Sequence, residues 1–518
     1  MEYNQDTTHN DGHKIIVAFS KDLDTNIKNF EMLFEDCGDV VTRKFPLGKD
    51  KSINAYIAYI DVMIDRRVIE ESILEQLMVQ VRDVPNNFSE IPEEERFNFI
   101  RDGGLATADI KELTTMDEAA LAILSGDSIL FIDGYAKAIM IATKGFPNRG
   151  VQEPDTEAVI RGSKEGFSEA FRFNTVLIRR RIRDTKLKIK QSQIGLRSRT
   201  DIGLVYIEGL VRPSILKEIE DRLKNFKIDA VLESGQIEQI LEDDWQSPFP
   251  QFQVTQRPDK AASAILEGRV ALIVDNTPFV LLLPTTLNCF FQATEDYYDR
   301  WQIMSFIRII RYIAAFFAVA LPGLYIALTT YHSSMLPTPL AFSFAAAREG
   351  VPFPAVLEVI IMEVAFELLR EAGIRLPGPI GSTIGIVGGL IIGQAAVEAN
   401  LASPIIVIIV ALTAISSFAI PGQSLTNAFR ILKFYVIILS AFLGLYGFWL
   451  AMISILVHLS SLKSFNFPYL SPYVSSDLNH YNDLKDTILR LPSFLLKKRP
   501  IFTDWKERKR LVIKKKGE

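Results

Sequence analysis

The residues whose types and spacing could do chemistry lie in two neighbouring apolar stretches. The first is the nearly uncharged run "IGSTIGIVGGLIIGQAAVEAN", from Ile380 to Asn400, in which Gly381, Gly385, Gly389 and Gly393 recur at every fourth position. Read as a helix, that spacing puts the glycines on one narrow stripe where a neighbouring helix can approach backbone to backbone. On a different face Thr383, Val387, Leu390 with Ile391, Gln394 and Glu398 recur at three-to-four spacing, polar at both ends and aliphatic in the middle. Repeated around a symmetry axis, this stripe would line a pore with a dewetting constriction at Val387 and Leu390 and a cation-favouring acidic ring at Glu398. A blander reading stays open, in which Gln394 and Glu398 sit where a span ends at the membrane interface.

The second stretch, Pro352 to Ile374, carries Glu358, Glu363, Glu367, Glu371 and Arg370 among its aliphatics. Charge is costly at mid-bilayer, so this acidic helix is expected to lie along the interface or to re-enter. The alternative is a helix whose Glu363 and Glu367 face a protein-lined polar path.

Catalytic and metal chemistry find no residues to carry them. No GxxxxGK[ST], GxGxxG after a strand, GxSxG or HExxH occurs, so no catalytic residue is nominated and no enzyme is expected. The five histidines lack ligand spacing, and Cys37 and Cys289 are too few for a thiolate metal site or a disulfide framework. No cofactor is expected, and the two cysteines suit a reducing compartment.

The elements that position these stretches follow from where the charge falls. Up to Arg300 the 518-residue chain reads like a soluble protein, whereas from Trp301 to Ser461 few ionisable residues interrupt long apolar runs. No basic region followed by an apolar run opens the chain, so the first half is expected to stay in the cytosol. That half repeats itself: "AALAILSGDSILFIDG" from Ala119 recurs as "AASAILEGRVALIVDN" from Ala261, with eight of sixteen positions identical. Each copy reads as a helix end, a Gly stop, a strand, a turn and a returning strand. Upstream, "YIAYID" ending at Asp61 answers "LVYIEG" ending at Gly209. Two related α/β subdomains are expected over residues 1–145 and 146–298. Phe167 to Lys190 between the repeats shows a helical period ending in a dense basic run, read as a salt-bridged face or as a surface for protein or anionic headgroups. Nucleic acid is not expected, because no aromatic-interleaved basic platform accompanies that run.

Four stretches are long enough to span a bilayer: Ile303 to Tyr331, Ile380 to Val397, Ser403 to Ile420 and Ile431 to Leu459. Residues 299–462 are thus expected to form a bundle of four or five transmembrane helices, the fifth being the acidic one. Residues 463–518 follow as a basic tail, cytosolic by the positive-inside rule. With a cytosolic first half this demands an even number of crossings, yet four spans leave Arg430 and Lys433 outside. "SFNFPYLSPY" from Ser464 reads as a surface segment.

The motifs "RGSKEGFSEAFRFNTVLIRRRI" from Arg161, "EGRVALIVDNTPFVLLLP" from Glu267, "EDYYDRW" from Glu295, "REAGIRLPGPIGSTIGIVGGLIIGQAAVEA" from Arg370 and "SFNFPYLSPY" resemble, in the same order, the A subunits of GerA-type spore germination receptors. The family usually has Pro where this chain has Ser163. The resemblance implies a multi-pass protein of the inner spore membrane, working with a transporter-like B subunit and a lipoprotein C subunit. It also implies homo-oligomerisation, as a pentamer, into a nutrient-gated channel for monovalent cations. The competing function is a non-conducting membrane scaffold that organises receptor subunits.

Overall fold

The structure is a computed structural model, and it describes residues 17–47, 51, 53–79, 92–102, 105, 107, 109–146, 157, 159, 161–375, 379–474 and 483–510. The soluble half holds two antiparallel five-stranded sheets of identical topology. The first runs β1-β2-β4-β5-β3, with β1 Val40–Leu47, β2 Ile53–Ile60, β3 Ile110–Leu113, β4 Ser128–Ile132 and β5 Ala138–Ile141. The second runs β6-β7-β9-β10-β8, with β6 Leu187–Ile194, β7 Thr200–Ile207, β8 Gln253–Thr255, β9 Val270–Val274 and β10 Val280–Leu283.

The duplication reaches individual hydrogen bonds. Asn26 accepts from Ser20 N at 2.9 Å and donates to Ser20 O at 2.6 Å, and Asn174 does the same with Ser168 at 2.8 and 2.6 Å. Asp133 accepts from Leu23 N at the start of the first helix, and Asp275 from Phe171 N at the start of its counterpart. The pairing also corrects one alignment. Ala55 faces Ile132 and Ile202 faces Val274, so Asp61 is equivalent to Glu208, one residue away from the match read in the sequence. A one-residue slip would turn each strand's core side chains outward.

The basic run is a second correction. Its helix ends at Arg179 (Phe171–Arg179), and Lys188 and Lys190 belong to β6. Most of its charges are paired. Arg179 is wholly buried and grips Asp39 of the first subdomain at 2.7 and 2.9 Å, while Arg180 and Arg181 reach Glu165 and Lys190 reaches Glu220. Gly38 N also donates to Ile189 O at 3.0 Å, so the two α/β units are joined by backbone as well as by charge.

Beyond Arg300 the chain is helical. Two stretches, Trp301–Tyr331 and Gln423–Ser461, are long and apolar enough to cross a membrane. Side chains such as Phe306, Ile431, Phe442 and Trp449 stand exposed along these helices, as suits a surface solvated by lipid. Pro322 lies inside the first helix without breaking it. The last stretch is not the single leg expected between Ile431 and Leu459. At Gly444 the backbone turns to φ 60°, ψ −136°, and Tyr435 Oη lies 3.0 Å from Ser454 Oγ, nineteen residues along the chain. On a straight helix those groups would be about 28 Å apart, so the chain folds back into a hairpin of two antiparallel legs. Tyr331 donates to the Ala441 carbonyl at 2.6 Å at the hairpin tip.

With Ala355–Arg375, Pro379–Glu398 and Pro404–Phe418, this makes six helical legs of alternating direction. Glu358 meets Ser403 at the end far from the soluble half, whereas Gly422 packs on Phe290 and His458 on Ser247 at the near end.

The segment from Ser464 is not at the surface. Phe465 and Phe467 join the core of the second subdomain, and Tyr469 is fully buried, donating to Pro250 O at 2.8 Å. Ile501 and Phe502 enter the same core, and Thr503 bridges Val211, so the described part of 463–510 is woven into the second α/β unit.

Candidate functional site

The helix Pro379–Glu398 begins on a proline, whose fixed φ suits a first turn. It ends in a Schellman motif at Asn400, which has φ 53°: Leu401 N donates to Ala396 O at 2.8 Å and Asn400 N to Val397 O at 3.1 Å. Gly381, Thr383, Gly385, Val387 and Leu390 lie within this helix, and their side chains fall outside the described residues.

The described part shows two faces. Ile391, Gln394, Ala395 and Glu398 are all exposed at i, i+3, i+4 and i+7, with Gln394 donating to Glu398 at 3.1 Å. Gly389 and Gly393 turn inward, where an added Cβ would lie 3.9 Å from Phe366 and 3.2 Å from Val407. Both neighbours belong to this same chain. The closest approach is at Gly388, off the four-residue stripe, where a Cβ would come within 2.7 Å of Leu369.

The acidic helix faces protein at its key carboxylates, the alternative that the sequence left second. Glu363 is 2% exposed, and Lys433 bridges it to Glu367 at 2.6 and 3.1 Å. Arg430 donates to Glu367 through Nε at 2.8 Å. Each basic residue that conflicted with a four-span orientation is thus neutralised inside the bundle, which removes its weight from the positive-inside count. Farther along, the fully buried Glu358 accepts from Ser403 N at 3.0 Å and pairs with Arg348 at 3.1 Å.

A second charged cluster ties the bundle to the soluble half. Asp296, fully buried, takes Arg308 at 2.7 Å and Arg311 at 2.8 Å, one turn apart on the first helix, and Arg308 also holds Asp486 at 2.7 Å. Burial and the neighbouring Asp486 push the Tyr297 phenol well above its ordinary value. Beside it, burial raises Glu267 to about 7 and Asp483 to about 6, against the pull of Arg510 and Arg508. The sequence flagged none of these partnerships. Their only signal was isolated charge within apolar runs: Arg308 and Arg311 three apart, and Arg430 and Lys433 three apart.

A duplicated α/β half joined through buried ion pairs to a helical half with exposed apolar side chains defines the class: a membrane protein with a large α/β domain. The model of the Bacillus/Clostridium GerA spore germination protein family matches residues 28–502, and the chain belongs to that family. Over 484 residues it is 42% identical to the uncharacterized membrane protein YfkQ of Bacillus subtilis (strain 168), covering 93% of this chain and 91% of that one. It is 41% identical to spore germination protein KA of the same organism over 93% of this chain and 87% of the relative. With spore germination protein A1, also of Bacillus subtilis, it shares 44% identity over 74% of this chain and 79% of the relative. Among solved structures, the N-terminal domain of the A subunit of the Bacillus megaterium spore germinant receptor GerK3 is 29% identical with a TM-score of 0.42, covering 52% of this chain and 98% of that domain.

Proposed function

We propose that this chain is the A subunit of a nutrient-responsive germination receptor, and that its copies assemble around the helix Pro379–Glu398 into a channel for monovalent cations. The observation that carries the reading is the exposed stripe Ile391, Gln394, Ala395 and Glu398 on a helix whose Gly389 and Gly393 face Phe366 and Val407 of the same subunit. A polar and aliphatic stripe left exposed along a helix is what a symmetric pore requires. In this reading the assembly lies in the spore's inner membrane beside a transporter-like B subunit and a lipoprotein C subunit, a setting that membership of the germination protein family supports. All six legs cross in this reading, an even number that keeps the soluble half and the C-terminal segment on the cytosolic side. Domain limits at residues 145, 298 and 462 accompany it.

Purified protein in liposomes tests the channel, with ion flux and subunit number as readouts. Val387→Ala widens the constriction and is expected to leak ions and trigger germination without nutrient, whereas Glu398→Gln lowers cation selectivity while assembly persists. A monomer without flux, unchanged by either substitution, would leave the non-conducting scaffold as the function.

A further inference from the structure

Between the acidic helix, the helix Pro379–Glu398 and the helix Pro404–Phe418 runs a cleft of about 890 Å³, walled by Met362, Phe366, Leu369, Ile392, Val407 and Ile415. Phe366 also lines a small adjoining cavity with Arg370 and Phe418, at the end of the cleft nearer the soluble half. The Arg370 guanidinium lies over the Phe418 ring, 5.3 Å from its centroid, and among the described residues no carboxylate pairs with it. Its surroundings are short of negative charge. Arg370, Arg430 and Lys433 gather there against Glu363 and Glu367, three cations to two anions, and both carboxylates are already engaged by Arg430 and Lys433.

We propose that this cleft binds an anionic phospholipid, its phosphate on Arg370 and an acyl chain along the apolar wall. The chemistry matches at both ends. A planar guanidinium pre-positioned on an aromatic ring suits a phosphate's paired oxygens. Basic pockets between membrane helices near the cytosolic face take anionic headgroups, and the aliphatic wall matches a hydrocarbon tail rather than water. A second copy of the chain fits less well. The uncovered carboxylate on the glycine-bearing helix, Glu398, lies at the opposite end of the same cleft, far from the level of Arg370.

The full-length protein in nanodiscs of phosphatidylcholine, with and without phosphatidylglycerol, tests this, with bound lipid counted by native mass spectrometry and stability followed by thermal unfolding. Phosphatidylglycerol should be retained over phosphatidylcholine and should raise Tm, while inorganic phosphate alone should not. Arg370→Gln should reduce that preference by about tenfold, and Arg370→Lys should keep part of it. Filling the wall with Ala411→Phe should expel both lipids. If that variant fails to fold, the Gln and Lys variants still decide. Equal retention of phosphatidylglycerol by wild type and Arg370→Gln overturns the proposal, as does equal stabilisation by inorganic phosphate. Cross-linking of two copies through cysteines placed in the cleft would assign it to a subunit contact instead.

Discussion

Lys433 is held by two carboxylates inside the bundle, and its removal should cost more than the loss of either acid alone. Lys433→Met leaves buried Glu363 without its basic partner and Glu367 with Arg430 alone, and breaking a buried ion cluster on one side costs about 3–5 kcal/mol. Thermal unfolding in detergent should show that loss, and adding Glu363→Gln to Lys433→Met should recover part of it. A double variant less stable than Lys433→Met would refute the pairing as the source of stability. Outside the membrane half, Glu267 and Asp483 carry a pH signature. Their folded values of about 7 and about 6 lie above the ordinary 4.5 and 3.8, so the folded chain binds more protons than the unfolded one in that window. Stability therefore falls as pH rises from about 4 to 7. Glu267→Gln should flatten part of this fall, gaining about 1 kcal/mol over wild type above pH 7 and nothing near pH 4. Denaturation curves across that range check the sign.

At the scale of elements, the hairpin depends on one glycine. Gly444 holds φ 60° and ψ −136°, and a Cβ there would lie 2.9 Å from Tyr331 Cβ and 3.0 Å from the His332 ring. Gly444→Ala should cost about 1–3 kcal/mol from backbone strain, before any clash is relieved. The amount of folded protein recovered from membranes measures it, and an unaffected yield would mean that the two legs are not joined by this turn. Gly393 tests the neighbouring contact. Its Cβ position lies 3.2 Å from Val407, so Gly393→Leu should push Pro379–Glu398 away from Pro404–Phe418 and lower stability without needing a second subunit.

The whole molecule threads the bundle so that both of its ends return to one side. Leu232 and Trp505 are exposed on the soluble side, and Ser334 is exposed beyond the far end of the first helix. Single cysteines at these positions, probed with a membrane-impermeant thiol reagent in sealed vesicles, should give one labelling pattern for Leu232→Cys and Trp505→Cys and the opposite pattern for Ser334→Cys. Labelling of all three from one side would remove the membrane topology. The native Cys37 and Cys289 are buried and should stay silent.

The repeated helix, strand, turn and strand at Ala119 and Ala261 was legible because local propensity and period mark such a unit without help from distant residues. The apolar character of the helices was legible for the same reason, and helical spacing alone put Ile391, Gln394 and Glu398 on one face, while the side chains of Thr383, Val387 and Leu390 lie outside the described residues. What only the tertiary structure decided are relations between residues far apart in the chain. Glu363 with Lys433, Arg308 with Asp486, and Arg179 with Asp39 are ion pairs whose partners no periodicity reveals. The reversal at Gly444 was hidden because an apolar run carries the same pattern whether it continues or turns back, and a single glycine gave no sign of which. The burial of Phe465 and Tyr469 likewise came from a neighbouring surface, not from their own segment. Charge and aromatic placement in this protein are set by the neighbours that folding brings, because desolvation makes an unpaired buried group too costly to keep.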